Sequence, residues 1–346
     1  MEAFKKPLIF FSICAIALFT LSCGPSEVQD KEEGTLVAES DSTEQEKVVD
    51  NRPPPEDRKF NDLARFIAGM APEEGSSYAE LSQSPAWQQY SQVCNNQWTS
   101  INQNKIPTMA QWRDQEISAA NEASGLVFYP FSGPDFMHVN TFFPKAKEVV
   151  MIGLEPIGDL PDMENISKSS LGGYLNGLQQ TLYNILNLSF FRTISMAQDF
   201  TGKRVSTIDG TLPILMLFLT RTDHKILYYE KVAVSPEGKL IPATEASSDT
   251  TYYGTKISYE SNDEPGLRKN LYYFAANLQN TPYTARSGLS EGGLLQRKDF
   301  RAYLESLDIS STYLKSASYL MYRETFSIVR NIILDKSEYL LQDDSG

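Results

Sequence analysis

Residues 126–155 constrain the fold more than any other stretch. Leu126-Val-Phe-Tyr129 is a short apolar run stopped by Pro130, and Glu148-Val-Val-Met-Ile-Gly-Leu-Glu155 is a second, stopped by Pro156. Between them, Phe131-Ser-Gly-Pro-Asp135 opens a helix-like stretch that runs to Phe143 and stops at Pro144. Continuous apolar runs, rather than alternating ones, suit strands covered on both faces. Strand, short helix, strand is a βαβ unit, so the two strands are expected to be parallel and joined by a right-handed crossover.

The rest of the chain supplies covering helices. Residues 59–70 predict a helix with Phe60, Leu63, Ile67 and Met70 on one face, closed by Pro72. Ser84-Pro85 begins a second, a cap followed by proline at the first helical position. There Trp87, Tyr90, Cys94, Trp98 and Ile101 recur every third or fourth residue. Thr108-Met-Ala-Gln111 reads as a capping box opening a third helix that ends before Gly125. These aromatic stripes read as core. Beyond the βαβ unit, residues 171–188 form a long helix with Leu175, Leu178, Leu182, Ile185 and Leu186 in register, and a shorter helix is expected near 191–200. Apolar runs at 212–220 and 225–234, joined by Arg221-Thr-Asp-His224, predict an antiparallel hairpin. Residues 256–260 and 270–276 are further strands, while 300–307 and 313–334 return to helix. The expected architecture is one domain over 58–346, helical over 59–124 and α/β over 125–346. In it helices flank a layered, mostly parallel or mixed sheet with an antiparallel edge. Leu341-Gln-Asp-Asp-Ser-Gly346 reads as a strand running into a turn, which predicts a chain cut short before a further strand.

The N-terminal end has a different character. Lys5 and Lys6 precede an apolar stretch over 8–21, too short for the about 20 residues that span a hydrocarbon core. A basic start, a short apolar middle and small residues at the exit are the parts of a secretory signal. Leu21-Ser22-Cys23-Gly24 resembles the lipobox of bacterial lipoproteins, with Thr20 where Leu is commonest. That resemblance implies a signal peptide over 1–22, acylation of Cys23 by diacylglycerol and palmitate, and a lipid-anchored protein of the bacterial cell envelope and periplasm. By analogy with diderm sorting, Gly24 rather than Asp after the cysteine favours the outer membrane. Between Ser26 and Arg58 there are 11 acids against 4 basic residues, over half of a chain net charge of −13. This tract has no apolar period and ends in Asn51-Arg-Pro-Pro-Pro55, so 23–57 is expected to be a disordered acidic tether. The acidic balance and the lack of Lys/Arg clusters exclude a nucleic-acid partner.

Three cysteines are present, Cys14, Cys23 and Cys94. Signal cleavage and acylation would leave Cys94 alone, so the core must stabilise the fold without a disulfide. Cys94 lies on an apolar helix face and reads as a small buried hydrophobe.

One candidate site follows from the topology. In open α/β sheets, ligands bind beyond the carboxyl ends of the strands. Ser132-Gly-Pro-Asp135 stands there after the first strand, where backbone N–H groups opening a helix can face an anion. Glu155 ends the next strand, 20 residues after Asp135. With the strands adjacent, Asp135, Glu155 and His138 share one rim. Ser132, Gly133, Asp135, His138 and Glu155 are therefore the candidate ligand-binding residues. A plainer account covers each. Ser132 is a good N-cap, Pro134 a first-turn residue and Asp135 a complement to the helix dipole. Glu155 fits a solvated strand end, and His138 fits a structural histidine. The layout resembles class I methyltransferases and dinucleotide-binding, Rossmann-like folds. There a glycine loop holds the ligand and an acid ending the second strand takes ribose hydroxyls. The resemblance covers only this βαβ stretch, has no G-x-G-x-x-G, and loses one N–H to Pro134. The wording of Tyr129-Pro-Phe-Ser-Gly-Pro-Asp135 and Ile152-Gly-Leu-Glu-Pro-Ile-Gly158 also resembles a group of bacterial secreted proteins of no established function.

Other motifs fall short. Gly288-Leu-Ser-Glu-Gly292 matches the nucleophile elbow, but both histidines, His138 and His224, precede Ser290 and no apolar strand leads into it. Zinc spacing is absent. Asp159, Asp162 and Glu164, or Asp343 and Asp344, leave a carboxylate site for Ca²⁺ or Mg²⁺ open without EF-hand spacing. Gly172-Gly173 fits an anion nest or a helix cap. No cofactor is indicated. The leading expectation is a non-enzymatic lipoprotein that binds a small molecule or an envelope protein. The alternative is an enzyme with a degenerate methyltransferase-like or carboxylate-dependent hydrolase site.

Overall fold

A computed structural model describes residues 54–163, 165–187, 210–246, 253–284, 290–315 and 318–343. Cys23, the acidic tract up to 53 and the helix expected near 191–200 lie outside them. No helix among the described residues is long and apolar enough to cross a membrane.

The helical part comprises α1 (Arg58–Ile67), α2 (Pro85–Ser100), α3 (Ile106–Glu116) and α4 (Ser118–Ala123). Ser84 Oγ accepts from Trp87 N at 3.4 Å and Pro85 fills the first turn, so α2 starts where the local chemistry dictates. The capping box at Thr108 does not form. A π-helical turn over 101–105 carries α2 into α3 without a break, and Thr108 Oγ1 donates back to Asn104 O at 2.8 Å. Thr108 lies inside continuous helix rather than at its start, so the amides ahead of it are already bonded one turn back and need no cap.

The α/β part follows as β1 (Leu126–Pro130), α5 (Phe136–Phe142), β2 (Glu148–Gly153), α6 (Lys168–Asn187) and α7 (Leu212–Arg221). Then come β3 (His224–Val234), β4 (Leu240–Pro242), β5 (Tyr253–Ser261) and β6 (Lys269–Ala275). A small hairpin, β7 (Tyr283–Thr284) and β8 (Ser290–Glu291), precedes α8 (Lys298–Ser306), β9 (Ser311–Lys315), α9 (Ser327–Lys336) and β10 (Tyr339–Asp343). The main sheet has eight strands in the order β10-β9-β1-β2-β6-β5-β3-β4. Strands β10, β9, β1, β2 and β6 are mutually parallel, and β5, β3 and β4 continue the sheet antiparallel. The fold is thus the expected α/β layered, mixed sheet with flanking helices.

Two elements differ from expectation. Residues 212–221 form a helix, not a strand of a hairpin, and nine of its ten residues are buried. An apolar run fits a buried strand or a buried helix, and here only Ile214 and Thr220 are β-branched, while Leu and Met favour helix. Conversely, Tyr313 belongs to strand β9 rather than to a helix over 313–334, and α9 begins only at Ser327. Ser311-Thr-Tyr-Leu lies between β1 and β10, where both faces are covered, and its first four residues are buried.

Alternation sends Val127, Tyr129, Val149, Met151 and Tyr313 to one face, against α1, α2, α5, α6 and α7. Phe128, Val150, Ile152 and Leu314 go to the other, against α8 and α9. The chain therefore winds from β1 to β2 over one face and from β9 to β10 over the other. The seam between β1 and β9 is the topological switch point, the place where such sheets open toward ligands.

Candidate functional site at the seam between two windings

Asp135 is the centre of the carboxyl-end rim. It occupies the N-cap position of α5, yet its carboxylate makes no capping bond. Tyr129 Oη donates to Oδ2 at 2.9 Å, and His138 Nδ1, one helical turn on, donates to Oδ1 at 2.6 Å. Lys315, last residue of β9, brings Nζ to 3.4 Å from Oδ2 and to 3.0 Å from His138 Nε2. Lys315 reaches the site because it is two residues past Tyr313 and so points to the same sheet face. The Tyr313 ring packs on that of Tyr129 with centroids 4.6 Å apart.

The Asp135 side chain is 1% exposed, while His138 and Lys315 keep 13% and 14%. Burial pushes the Asp135 carboxyl up. The charges of His138 and Lys315, with the hydrogen bonds from His138 and Tyr129, outweigh burial and hold it below the ordinary carboxylate range. The group is an anion at neutral pH, and the ionised carboxylate selects the tautomer with hydrogen on His138 Nδ1. A carboxylate, an imidazole and an ammonium thus touch at the switch point, a set able to bind an anionic group or relay a proton.

Glu155 lies two residues past β2 and is fully buried. Tyr273 Oη, from β6, donates to Glu155 O at 3.1 Å and lies 3.5 Å from Oε2. Oε1 has no hydrogen-bond partner among the described residues. Two glycines admit this carboxyl. A Cβ on Gly153 would stand 2.5 Å from both Glu155 Oε2 and Tyr273 Oη, and 3.1 Å from Gly133 Cα. A Cβ on Gly133 would stand 3.7 Å from Oε2. Burial raises Glu155 to about 7, against the opposing pull of the Glu155 and Leu154 amides and the Tyr273 hydroxyl.

The five sequence-predicted residues therefore divide. Asp135 and His138 come together, joined by Lys315 and Tyr129. Glu155 sits beneath Gly133 with Tyr273, and no hydrogen bond or ion pair joins it to Asp135 among the described residues. It is not a solvated strand end. Ser132 is not an N-cap: it is fully buried, and its N and Oγ both donate to Ile152 O, at 2.8 and 3.2 Å, prolonging the β1–β2 ladder. The anion cradle is absent as well, because α5 begins only at Phe136, whose N donates to Pro134 O. Lys315 escaped sequence reasoning because its segment carried a helical period. Tyr129 and Tyr273 read simply as apolar strand residues.

The remaining candidates resolve into structure. His224 is buried against the Phe136 and Tyr259 rings and held near 4, chiefly by burial and then by Lys269. Ser290 pairs with Thr284 in a two-stranded hairpin, not at a strand-to-helix elbow, and 285–289 lie outside the described residues. Asp159 pairs with Lys231, and Asp162 accepts from Asn165. Glu164 and Asp344 lie outside the described residues, and none of the described residues form a His/Cys/Asp/Glu group able to hold a metal. Gly172 and Gly173 are interior to α6. A groove of about 860 Å³ opens at the opposite, amino ends of the strands, between Glu148, Asn270, Ser310 and Glu338. Compared with protein-family models, with curated proteins and with solved structures, the chain matches none.

Proposed function

We propose that this chain is a lipid-anchored protein of the bacterial cell envelope whose α/β domain binds a small molecule at the carboxyl rim of its sheet. The observation that carries the binding reading is the Asp135–His138–Lys315 cluster at the switch point. A partly exposed ammonium and imidazole over a buried carboxylate are arranged at a cost in desolvation that a binding site repays and a plain surface does not. The chemistry favours a ligand with a carboxylate or phosphate group, taken by Lys315 and His138, with Asp135 orienting both. The lipid anchor rests on the basic start, the short apolar run and Leu21-Ser22-Cys23-Gly24. The acidic tract after it would hold the domain off the bilayer.

Two measurements test these parts separately. Palmitate labelling in a bacterial host should vanish in Cys23→Ser, and unchanged labelling would remove the anchor. Isothermal titration with phosphate, short carboxylates and nucleotides should find a binder that Lys315→Met and His138→Gln each weaken at least tenfold. Undiminished binding in both variants would remove the rim site.

Glu155 favours a second reading. A buried carboxyl held near 7 is suited to proton transfer at neutral pH. An enzyme would turn over a bound substrate and lose turnover in Glu155→Gln while keeping affinity. A binding protein would show no turnover at all.

A further inference from the structure

The loop that leaves β1 is held in an unfavourable backbone. Phe131 and Gly133 both take left-handed conformations, at φ 60° and 51°. Glycine adopts these freely, but phenylalanine does so only when its surroundings compel it. Here the Phe131 ring packs edge-on against Phe326, with centroids 5.4 Å apart, and Ser132 N is bonded to Ile152 O. Asp135 anchors the far end of the loop through His138, Tyr129 and Lys315. Beneath the loop lies the fully buried Glu155, whose Oε1 has no hydrogen-bond partner among the described residues.

Among the described residues, no charged group faces that carboxyl. The loop after β1 presents Gly133, its own strand end presents Gly153 and the Leu154 and Glu155 amides, and β6 presents the Tyr273 hydroxyl. A protonated carboxyl can rest there. An ionised one would be a buried charge with no counter-ion, helped only by those two amides and the Tyr273 hydroxyl, under a loop that already stores strain.

We propose that residues 131–135 form a proton-operated latch: with Glu155 protonated the loop lies shut against Gly153, and ionisation of Glu155 lifts it and draws Asp135 away from Lys315. The sign follows from linkage. Glu155 is raised from an ordinary 4.5 to about 7 in the shut state and returns toward 4.5 once wetted. Shutting is therefore favoured fully below 4.5 and progressively lost up to 7. The opening equilibrium rises about tenfold per pH unit across that window and is level above it. The latch belongs to the ligand-free protein. Failure to find a ligand leaves it standing, and failure of the latch leaves the binding reading standing.

Hydrogen exchange of the full chain without ligand tests it, followed on the peptide covering 131–136 and corrected for the intrinsic pH dependence of exchange. Protection should fall about tenfold per unit between pH 5 and 7 and level off above. Glu155→Gln should remove the slope and keep the loop protected throughout. His138→Gln should keep the slope. Tyr273→Phe, which removes a hydroxyl that favours the ionised form, should move the levelling point upward, and it serves as the second variant should Glu155→Gln fail to fold. A flat wild-type profile, a slope that persists in Glu155→Gln or vanishes in His138→Gln, or an unmoved levelling point in Tyr273→Phe would each overturn the latch.

Discussion

Lys315 Nζ stands 3.4 Å from Asp135 Oδ2, although 180 residues separate the two in the chain. One comes from the winding that starts at β1 and the other from the winding that ends at β10. The contact is the chemical expression of the switch point, because only there do a loop over one sheet face and a strand end of the other winding meet.

That contact has a measurable stability consequence. Lys315→Met leaves a buried carboxylate with one cation fewer, and breaking a buried pair from one side costs about 3 kcal/mol. Tyr129→Phe removes one hydrogen bond to the same carboxylate and should cost about 1–2 kcal/mol. Urea denaturation reads both. The double variant Asp135→Asn with Lys315→Met should cost less than the sum of its parts, by about 1 kcal/mol or more. Simple additivity would mean that the pair is not coupled.

Two buried titrating groups give opposing pH dependences. Glu155 folds best neutral, so its contribution is complete below 4.5 and lost as pH rises to about 7. His224 also folds best neutral, so its contribution is complete above 6.5 and lost as pH falls to about 4. Each spans about 3 kcal/mol at about 1.4 kcal/mol per unit. Their slopes largely cancel between pH 4.5 and 6.5. Glu155→Gln should uncover a stability that climbs with pH over this range, and His224→Phe one that falls. Denaturation midpoints at three pH values distinguish the two, and parallel profiles in both variants would contradict the assignment.

Gly238 permits a close approach that no other residue allows. It sits at φ 77°, and a Cβ there would lie 2.7 Å from Ala302 Cβ and 2.8 Å from Tyr303 N in α8. Backbone on the receiving side cannot swing away. Gly238→Ala should therefore destabilise by about 2–4 kcal/mol, combining left-handed strain with overpacking. Gly266 has the same handedness at φ 87° but open space around it, so Gly266→Ala should cost only the conformational part. Equal losses at the two sites would contradict the packing argument.

Cys94 should be chemically silent in the native state. It is 1% exposed on α2, and burial pushes its thiol up. With Cys14 and Cys23 replaced by serine, a thiol reagent should modify Cys94 only at the rate of unfolding, and immediately in denaturant. Fast native labelling would show that this helix face opens.

Local features of the chain proved legible where one turn or one strand decides the outcome. The Ser84 cap, the β1 and β2 runs and the faces of α1 and α2 all depend on contacts a few residues apart, or on a period that burial enforces. The 212–221 segment was not legible in this way, because an all-apolar run satisfies a buried strand and a buried helix equally. The packing of α7 against α1 and β3 selects the helix. The β9 segment failed for the converse reason: Tyr313 and Leu314 fit a helical period, and only neighbours on both sides make them a central strand.

By itself, then, the sequence determined the α/β class, the parallel βαβ unit and the rim that carries Asp135 and His138. Tertiary structure alone decided that Lys315 completes that rim and that Glu155 lies fully buried beneath Gly133. The physical reason is range. Hydrogen-bonded turns and side-chain periodicity are written in neighbouring residues, whereas desolvation and the pairing of buried charges depend on which distant strands the fold sets side by side.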